Sequence, residues 1–361
     1  MNRQRFLPHA LAVLTLARFC LLPLTELSPV EAHAALCSER AELWHSLAGP
    51  VLPLCMRLSS AVFGMNEFGL RFFAPILMLV AGWLVWKMAH GLFDATTAAW
   101  ATVLFQVSPV VNLSAVNFTN TTLGIVEGSA LLLLLRLALH QPPRHQLHWW
   151  AVSAMTLVAF FTDWRLILFT VAGTGSLFLT RRGRAAIMKW PVLPILAGPL
   201  ALALLIFLAW NSERGWVAFQ FPVADVPALV ALGRCGLLAY GPPLALLLGW
   251  SLLDSTWQRP LLYAPAFLLA FAWPLISLDL FAVHSTQWPQ VGFAAWLPAV
   301  VVLAAARLMQ NDRLTVRAKL WIRSLVMLAA AFQSCLILQP SLLRTLKVFA
   351  CSPAPAADKS K

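Results

Sequence analysis

The residues best suited to acid–base chemistry are concentrated in one stretch near the N-terminus. Of the 14 acidic residues in the 361-residue chain, five lie between positions 26 and 67, namely Glu26, Glu31, Glu39, Glu42 and Glu67. A carboxylate in this stretch can accept the proton of a hydroxyl group. We take Glu31 as the leading candidate for such a general base, with Glu26 and His33 as further catalytic candidates. His33 also suits binding of an acceptor or a metal ion, or a solvated position at the membrane interface.

The same stretch carries the start signal of a helix. Ser28, Pro29 and Glu31 match a capping box, with Ser at the N-cap, Pro at the first helical position and Glu at the third. The sequence therefore predicts a juxtamembrane helix from about Pro29 to Leu47. The N-terminal end of a helix carries unpaired N–H groups and a partial positive charge, so it can hold a phosphate. Capping alone would account equally well for Glu31, and the two roles do not exclude one another.

The composition is that of a membrane protein. Hydrophobic residues make up 60% of the chain and charged residues 11%, whereas soluble domains have roughly 45–50% and about 25%. The net charge of +12 does not indicate nucleic-acid binding, because the basic residues lie between apolar runs, as the orientation rule for membrane proteins predicts. We predict an all-α, polytopic integral membrane protein with a transmembrane domain over residues 1–345 and a disordered tail over residues 346–361.

About eleven apolar runs are candidates for transmembrane helices. They lie near residues 6–24, 70–87, 95–112, 121–139, 149–162, 164–180, 190–210, 228–250, 260–282, 289–306 and 320–338. A cleaved signal peptide is the alternative for the first run, but this run is longer than a usual signal-peptide core and contains Arg18. Arg18 needs a polar partner inside the membrane, which the sequence does not name.

With the N-terminus in the cytoplasm, the basic residues collect on one side. The predicted cytoplasmic segments are rich in Lys and Arg, whereas the opposite loops before the tail contain mainly Arg40, Arg57 and Arg214. Most acidic residues fall on the opposite, outer side, so we expect acid–base chemistry to face away from the cytoplasm. Cys37 and Cys55 share the first outer loop, and their spacing alone does not decide whether they form a disulfide.

Six short motifs carry a family resemblance. They run from Ser28 to His33, from Val62 to Arg71, from Phe118 to Leu123, from Phe161 to Trp164, from Trp210 to Phe221 and from His284 to Pro289. Through these motifs, most of residues 10–300 resemble the GT-C membrane glycosyltransferases, specifically the bacterial family-39, ArnT-like and RgtA/B/C/D-like branch. The order of the motifs, and their placement on the outer side, make the resemblance more specific than any one motif does.

The resemblance implies a function and a set of substrate contacts. Such proteins take a sugar from a polyprenyl-phosphate carrier and place it on a hydroxyl of a lipid, glycan or protein outside the cytoplasm. The resemblance therefore implies that this chain is a hexosyl- or pentosyltransferase of the cell envelope, located in the bacterial inner membrane. The predicted substrate-binding residues are Arg71, Asn117, Asn120, Asp163, Arg165, Asn211, Trp216, His284 and Trp288. No cofactor and no nucleic-acid partner are predicted, and a requirement for a divalent metal ion stays open.

Several of these residues have a structural alternative. Arg71, at the outer mouth of the second span, suits the carrier phosphate or an ion pair with Glu67. Asp163 and Arg165 suit a sugar contact or a salt bridge with each other. Glu127 is an acid inside the fourth predicted span, which makes it a functional candidate, although it could simply line a cavity.

The chain departs from the family pattern at three polar positions. Val30 and Asn120 stand where the family has acids, and Asp163 stands where it has a lysine. Either a shifted site uses Glu31 or Glu26 as the base, or the protein does not transfer sugar by the usual route. The alternatives are a catalytically inactive relative that binds a lipid-linked glycan or scaffolds a partner, and a transporter of lipid or solute.

Overall fold

The computed structural model describes residues 3–24, 27–39, 49–140, 146–164 and 181–216, with the isolated residues 166, 174, 177, 297, 298, 301, 302, 304–306, 309 and 324. In the continuous ranges the regular elements are helices. They are α1 Arg3–Leu21, α2 Pro29–Glu39, α3 Val51–Phe63, α4 Glu67–Arg71, α5 Phe73–Leu92, α6 Ala95–Val107, α7 Pro109–Val116, α8 Asn120–His140, α9 Leu147–Thr162, α10 Arg181–Ile187 and α11 Val192–Glu213. A 3-10 turn, Leu22–Leu24, follows α1.

The predicted all-α architecture is confirmed, and the described helices match the predicted spans in order. By length and apolar composition, the described part contains three helices able to cross a membrane, Glu67–Leu92, Asn120–Leu139 and Val192–Glu213. The bent pair α6 and α7 would make a fourth, and α1 and α9 contain shorter apolar helices. The other five predicted spans and the tail fall mainly outside the described residues, so the number of eleven stays a prediction.

The predicted span over residues 95–112 is broken. Helices α6 and α7 meet at an angle of 60°. Ser108, between them, is extended (φ −66°, ψ 143°), because the ring of the following Pro109 disfavours helical geometry in the residue before it. The bend brings the polar end of α7 and the loop after it over the ends of α1 and α5.

The first outer loop contains the predicted juxtamembrane helix, and the predicted end of this helix at Leu47 lies outside the described residues. Helix α2 begins at the predicted Pro29, and its described part ends at Glu39. Helix α3 buries Leu52 and Met56 and exposes Leu54, Leu58 and Val62. An exposed apolar stripe on a helix of this loop suits contact with lipid. We call the side of the molecule that carries this loop the outer face, following the orientation predicted from the sequence.

The structure supplies the partners that Arg18 requires. Its guanidinium donates to Gln106 Oε1 (2.7 Å), to the Gln106 carbonyl (2.9 Å) and to Asn112 Oδ1 (2.7 Å), and Arg18 is only 3% exposed. The Gln106 amide in turn donates to the Met78 carbonyl at 2.9 Å. A Cβ on Gly82 would lie 2.3 Å from Gln106 Nε2, so the glycine makes room for this side chain. The network ties α1 to α5, α6 and α7.

The N-cap of α6 is Asp94, at the turn between α5 and α6. Its carboxylate accepts hydrogen bonds from the N–H groups of Thr96 (3.2 Å) and Thr97 (3.3 Å) and from the Thr97 hydroxyl. The Thr97 hydroxyl, foremost, and these backbone groups lower the pKa of Asp94 below its ordinary value. The ionised form of Asp94 therefore stabilises the start of α6.

Replacing Asp94 with Ala should lower the free energy of unfolding by roughly 0.5–1 kcal/mol at neutral pH, near the low end for an N-cap because the residue is exposed to solvent. A carboxyl whose pKa is lower in the folded chain stabilises it above the unfolded-state pKa of about 4, and this stability is lost as pH falls through the folded-state pKa. Thermal unfolding of solubilised protein at pH 7 and pH 3 measures the effect. The Asp94→Asn control, which keeps a capping oxygen, should stay near wild type, and a larger Asp94→Ala effect at pH 3 than at pH 7 would contradict the assignment.

Candidate active site

A buried ion pair lies at the centre of the outer face. Arg71 Nε donates to Glu31 Oε1 at 2.7 Å and Arg71 Nη2 to Glu31 Oε2 at 2.8 Å, and both side chains are 0% exposed. Arg71 Nη1 also lies 3.3 Å from the Leu22 carbonyl oxygen. The predicted partner Glu67 is exposed at the start of α4, so the ion pair joins Arg71 to Glu31 instead. This two-pronged geometry is the strong form of a charge-assisted contact.

Backbone groups complete the environment of Glu31. The Phe118 N–H donates to Oε1 at 2.8 Å and the Ser28 N–H to Oε2 at 2.9 Å. The Glu31 N–H lies 3.3 Å from Ser28 Oγ, which confirms the predicted capping box. Each carboxylate oxygen therefore accepts two hydrogen bonds, which is about the full capacity of the group. Glu31 therefore connects its own helix, α2, to α4 and to the loop between α7 and α8.

Local sequence explains how Arg71 reaches this position. Asn66 caps α4, its side-chain oxygen accepting from the Gly69 N–H at 2.8 Å. Gly64, with φ +86°, ends α3 in the left-handed region that favours glycine. A Cβ on Gly69 would lie 2.1 Å from the Gly64 carbonyl oxygen. These small residues let the short helix α4 fold tightly back on α3, which turns Arg71 toward the interior.

Two further buried acidic residues, Glu127 and Asp163, lie where α8 packs against the end of α9. Glu127, 5% exposed on α8, accepts a 2.5 Å hydrogen bond through Oε1 from the hydroxyl of Thr162, the last residue of α9. Asp163 follows directly and is 0% exposed, and its charge interacts with that of Glu127. Glu127 Oε2 is buried and has no hydrogen-bond partner among the described residues. A buried oxygen without a partner is rare and calls for an explanation.

Glu127 also interacts with the first outer loop. Burial, foremost, and the charge of Glu127 raise the pKa of the Cys55 thiol on α3 above its ordinary value. Cys37 and Cys55 are not joined by a disulfide in this structure, which answers the question that their spacing left open. The Gly49 N–H donates to the Thr162 carbonyl at 3.1 Å, so the first outer loop contacts the last residue of α9.

The other predicted site residues are spread over the outer face. Asn117 and Asn120 are half-buried on either side of Phe118, and Asn120 Oδ1 is buried without a partner in the described part of the chain. His33 is exposed and its Nε2 lies 3.6 Å from Cys37 Sγ. No group of three or more His, Cys, Asp or Glu suited to a metal ion occurs among the described residues.

The predicted residues near the end of α11 differ in exposure. Asn211 is 0% exposed, whereas Trp216 is 48% exposed and has a positive φ of 60°. Its N–H donates to the Asn211 carbonyl at 2.9 Å. Trp164 stacks on Phe207 with ring centroids 5.3 Å apart, which gives it a packing role. Four predicted site residues lie outside the described residues, namely Glu26, Arg165, His284 and Trp288.

The structure thus brings Glu31, Arg71 and the loop of Asn117 and Asn120 together. In this geometry Glu31 and Arg71 are engaged with each other, which favours a positioning role. Their predicted roles as general base and phosphate ligand stay predictions. The sequence marked Glu127 only as an acid inside a span, and its place near Asp163 depends on how α8 packs against α9.

Comparison with known proteins identifies the fold. Residues 47–210 match the family model described as dolichyl-phosphate-mannose-protein mannosyltransferase. No curated protein sequence matches the chain significantly. Among solved structures, ArnT from Cupriavidus metallidurans in the apo state is similar with a TM-score of 0.65 and 16% identity, over 89% of this chain and 62% of that one. The chain thus spans less than two thirds of the length of that protein.

Two further solved structures are similar to this chain. ArnT bound to undecaprenyl phosphate is similar with a TM-score of 0.62 and 16% identity, over 94% of this chain and 73% of that one. The Archaeoglobus fulgidus oligosaccharyltransferase gives a TM-score of 0.54 at 12% identity, over 92% of this chain and 55% of that one. These similarities show the fold: the chain is an integral membrane protein with the GT-C fold, and the resemblance stated from its motifs is confirmed.

Proposed function

We propose that this protein is a membrane glycosyltransferase that transfers a sugar from a polyprenyl-phosphate carrier to a hydroxyl of a lipid, glycan or protein. The GT-C fold and the match to a mannosyltransferase family model support a glycosyltransferase of this type. The similarity to an ArnT structure that holds undecaprenyl phosphate supports a polyprenyl-phosphate donor. We assign the reaction to the extracytoplasmic face of a bacterial inner membrane, with the N-terminus in the cytoplasm.

One observation carries the proposal most directly. Among the described residues, buried ionisable side chains occur toward the outer ends of the helices, where a lipid-borne sugar and a water-borne acceptor can meet. They include Glu31, Arg71, Glu127 and Asp163, each at most 5% exposed. Buried charges are costly and are concentrated at functional sites. Their common location supports chemistry at this end of the bundle.

The reaction needs few kinds of group. A carboxylate takes the proton of the acceptor hydroxyl as its oxygen attacks the anomeric carbon, and the carrier phosphate leaves with the electrons of the broken bond. In our proposal Asn117, Asn120 and Asn211 contact sugar hydroxyls, and Trp216 stacks on a sugar ring. Arg165, His284 and Trp288 remain proposed contacts, as Glu26 and His33 remain proposed catalytic groups.

Purified protein in vesicles tests the proposal. The donors are undecaprenyl phosphates carrying radiolabelled hexoses or pentoses, and a lipid and glycan extract of the source cells provides acceptors. We expect protein-dependent transfer of label to a new product, together with release of undecaprenyl phosphate. Heat-inactivated protein is the control.

A result without transfer would reject the enzymatic proposal. Binding of undecaprenyl phosphate without a glycosidic product would support the alternative of a catalytically inactive relative, which the full engagement of Glu31 also favours. Movement of labelled carrier across the vesicle membrane, without a new bond, would support a transporter.

A further inference from the structure

We propose that Glu127, rather than Glu31, is the carboxylate that takes the proton from the acceptor hydroxyl, and that the acceptor binds along the face of α8 that carries Asn120 and Glu127. This inference rests on the proposed function. It starts from two oxygens, Glu127 Oε2 and Asn120 Oδ1, which are buried and have no hydrogen-bond partner among the described residues. Both atoms accept hydrogen bonds. A ligand that satisfies them must donate, as hydroxyl groups do.

The two oxygens belong to the same face of one helix. Asn120 and Glu127 are seven residues apart on α8, which corresponds to about two turns and ~10 Å along the axis. Gly124 lies between them on that face, three residues before Glu127 and four after Asn120. Gly124 is buried and has no side chain, so no side chain of that residue lies between the two acceptors. Such a spacing suits a molecule with several hydroxyl groups, such as a sugar acceptor.

The capacity for hydrogen bonds distinguishes Glu127 from Glu31. All four acceptor directions of Glu31 are occupied, two by Arg71 and two by backbone N–H groups. Glu127 has one oxygen held by Thr162 and the other without a partner. A general base must reach the proton at hydrogen-bond distance. Of these two carboxylates, that of Glu127 has an oxygen available to accept the proton in this geometry.

The surroundings of Glu127 suit this role. The Thr162 hydroxyl fixes Oε1 and thereby the orientation of the carboxylate, so Thr162 is a positioning residue. The same hydroxyl lies 3.1 Å from the Val158 carbonyl, so it has another partner if Glu127 is replaced.

The step balances without a co-reactant. The acceptor oxygen forms the bond to the anomeric carbon while the bond from that carbon to the phosphate oxygen breaks. The electron pair of the broken bond leaves with the polyprenyl phosphate. The acceptor proton moves to Glu127 Oε2 and is later released to water.

Two substitutions of Glu127 test the inference in the vesicle assay. Glu127→Gln keeps the size of the side chain and an oxygen for Thr162, and should lower kcat by about 10²–10⁴-fold with KM within a few-fold of wild type. Glu127→Met also removes the buried oxygen without a partner, and should lower kcat equally while raising the melting temperature by about 2 °C or more. Opposite effects on activity and stability identify a functional residue, because a structural residue would lower both. Glu213→Gln, an exposed acid at the end of α11, is the matched control and should leave kcat unchanged.

The outcomes separate the two proposals. If wild type transfers sugar and Glu127→Gln retains its kcat, the role of Glu127 is wrong while the proposed function stands. If wild type transfers nothing, both fall together. Loss of folded protein in both Glu127 variants would show a structural role and would overturn the inference.

Discussion

Replacing Glu31 with Gln should strongly destabilise the folded protein. The substitution removes the negative charge of Glu31 from beside the guanidinium of Arg71, which is 0% exposed. Breaking a buried ion pair by removing one partner costs about 3–5 kcal/mol. In a chain of this size, that corresponds to a fall in melting temperature of about 4–7 °C, measurable by thermal unfolding of the solubilised protein. From the sequence alone, one would expect loss of transfer without loss of folding, and the geometry changes that expectation.

Two controls test whether the loss of stability comes from breaking the ion pair rather than from removing an acidic side chain in general. Glu39→Gln removes an exposed acid from the same helix, α2, and should leave the melting temperature within about 1 °C of wild type. The double variant Glu31→Met, Arg71→Leu removes both charges and should cost less than Glu31→Gln alone. A Glu31→Gln variant with wild-type stability and no transfer would contradict the positioning role and support Glu31 as the base.

Replacing Gly49 with Ala should detach the first outer loop from the end of α9. An added Cβ would lie 1.8 Å from the Phe161 carbonyl oxygen and 2.5 Å from its carbon. These are backbone atoms of a helix and cannot turn aside as a flexible side chain can. Because the Gly49 N–H bonds to the Thr162 carbonyl, the displacement should also disturb the residues next to Asp163. We expect a loss of roughly 1–3 kcal/mol in stability and a clear fall in transfer.

The matched control for this substitution is Gly198→Ala in α11. A Cβ at Gly198 would meet nothing within 4 Å, and alanine in a helix interior is favoured over glycine by roughly 0.5–1 kcal/mol. Gly198→Ala should therefore keep or raise the melting temperature. The rate of limited proteolysis within residues 49–66 measures how accessible the loop is. This rate should rise in Gly49→Ala and stay at the wild-type value in Gly198→Ala. Equal proteolysis rates in the two variants would show that the loop accommodates the methyl group.

The sequence by itself determined the features that depend on neighbours in the chain. The low charge and long apolar runs require helices in a membrane, because lipid offers no partner for a free backbone group. The capping box placed the start of α2 at Pro29, because Ser28 and Glu31 are in hydrogen-bond reach once one helical turn forms. The motif order predicted the GT-C fold.

Only the tertiary structure decided which charged groups meet. Arg71 pairs with Glu31 instead of the nearby Glu67, and Arg18 finds its partners on α6 and α7. The position of Glu127 beside Thr162 likewise follows from the packing of α8 on α9. Such contacts depend on helix rotation and on the approach that small residues permit, which composition and local spacing do not encode. For this reason the sequence indicated an acidic stretch at the start of α2, whereas the hydrogen bonds that distinguish Glu31 from Glu127 are visible only in the three-dimensional arrangement.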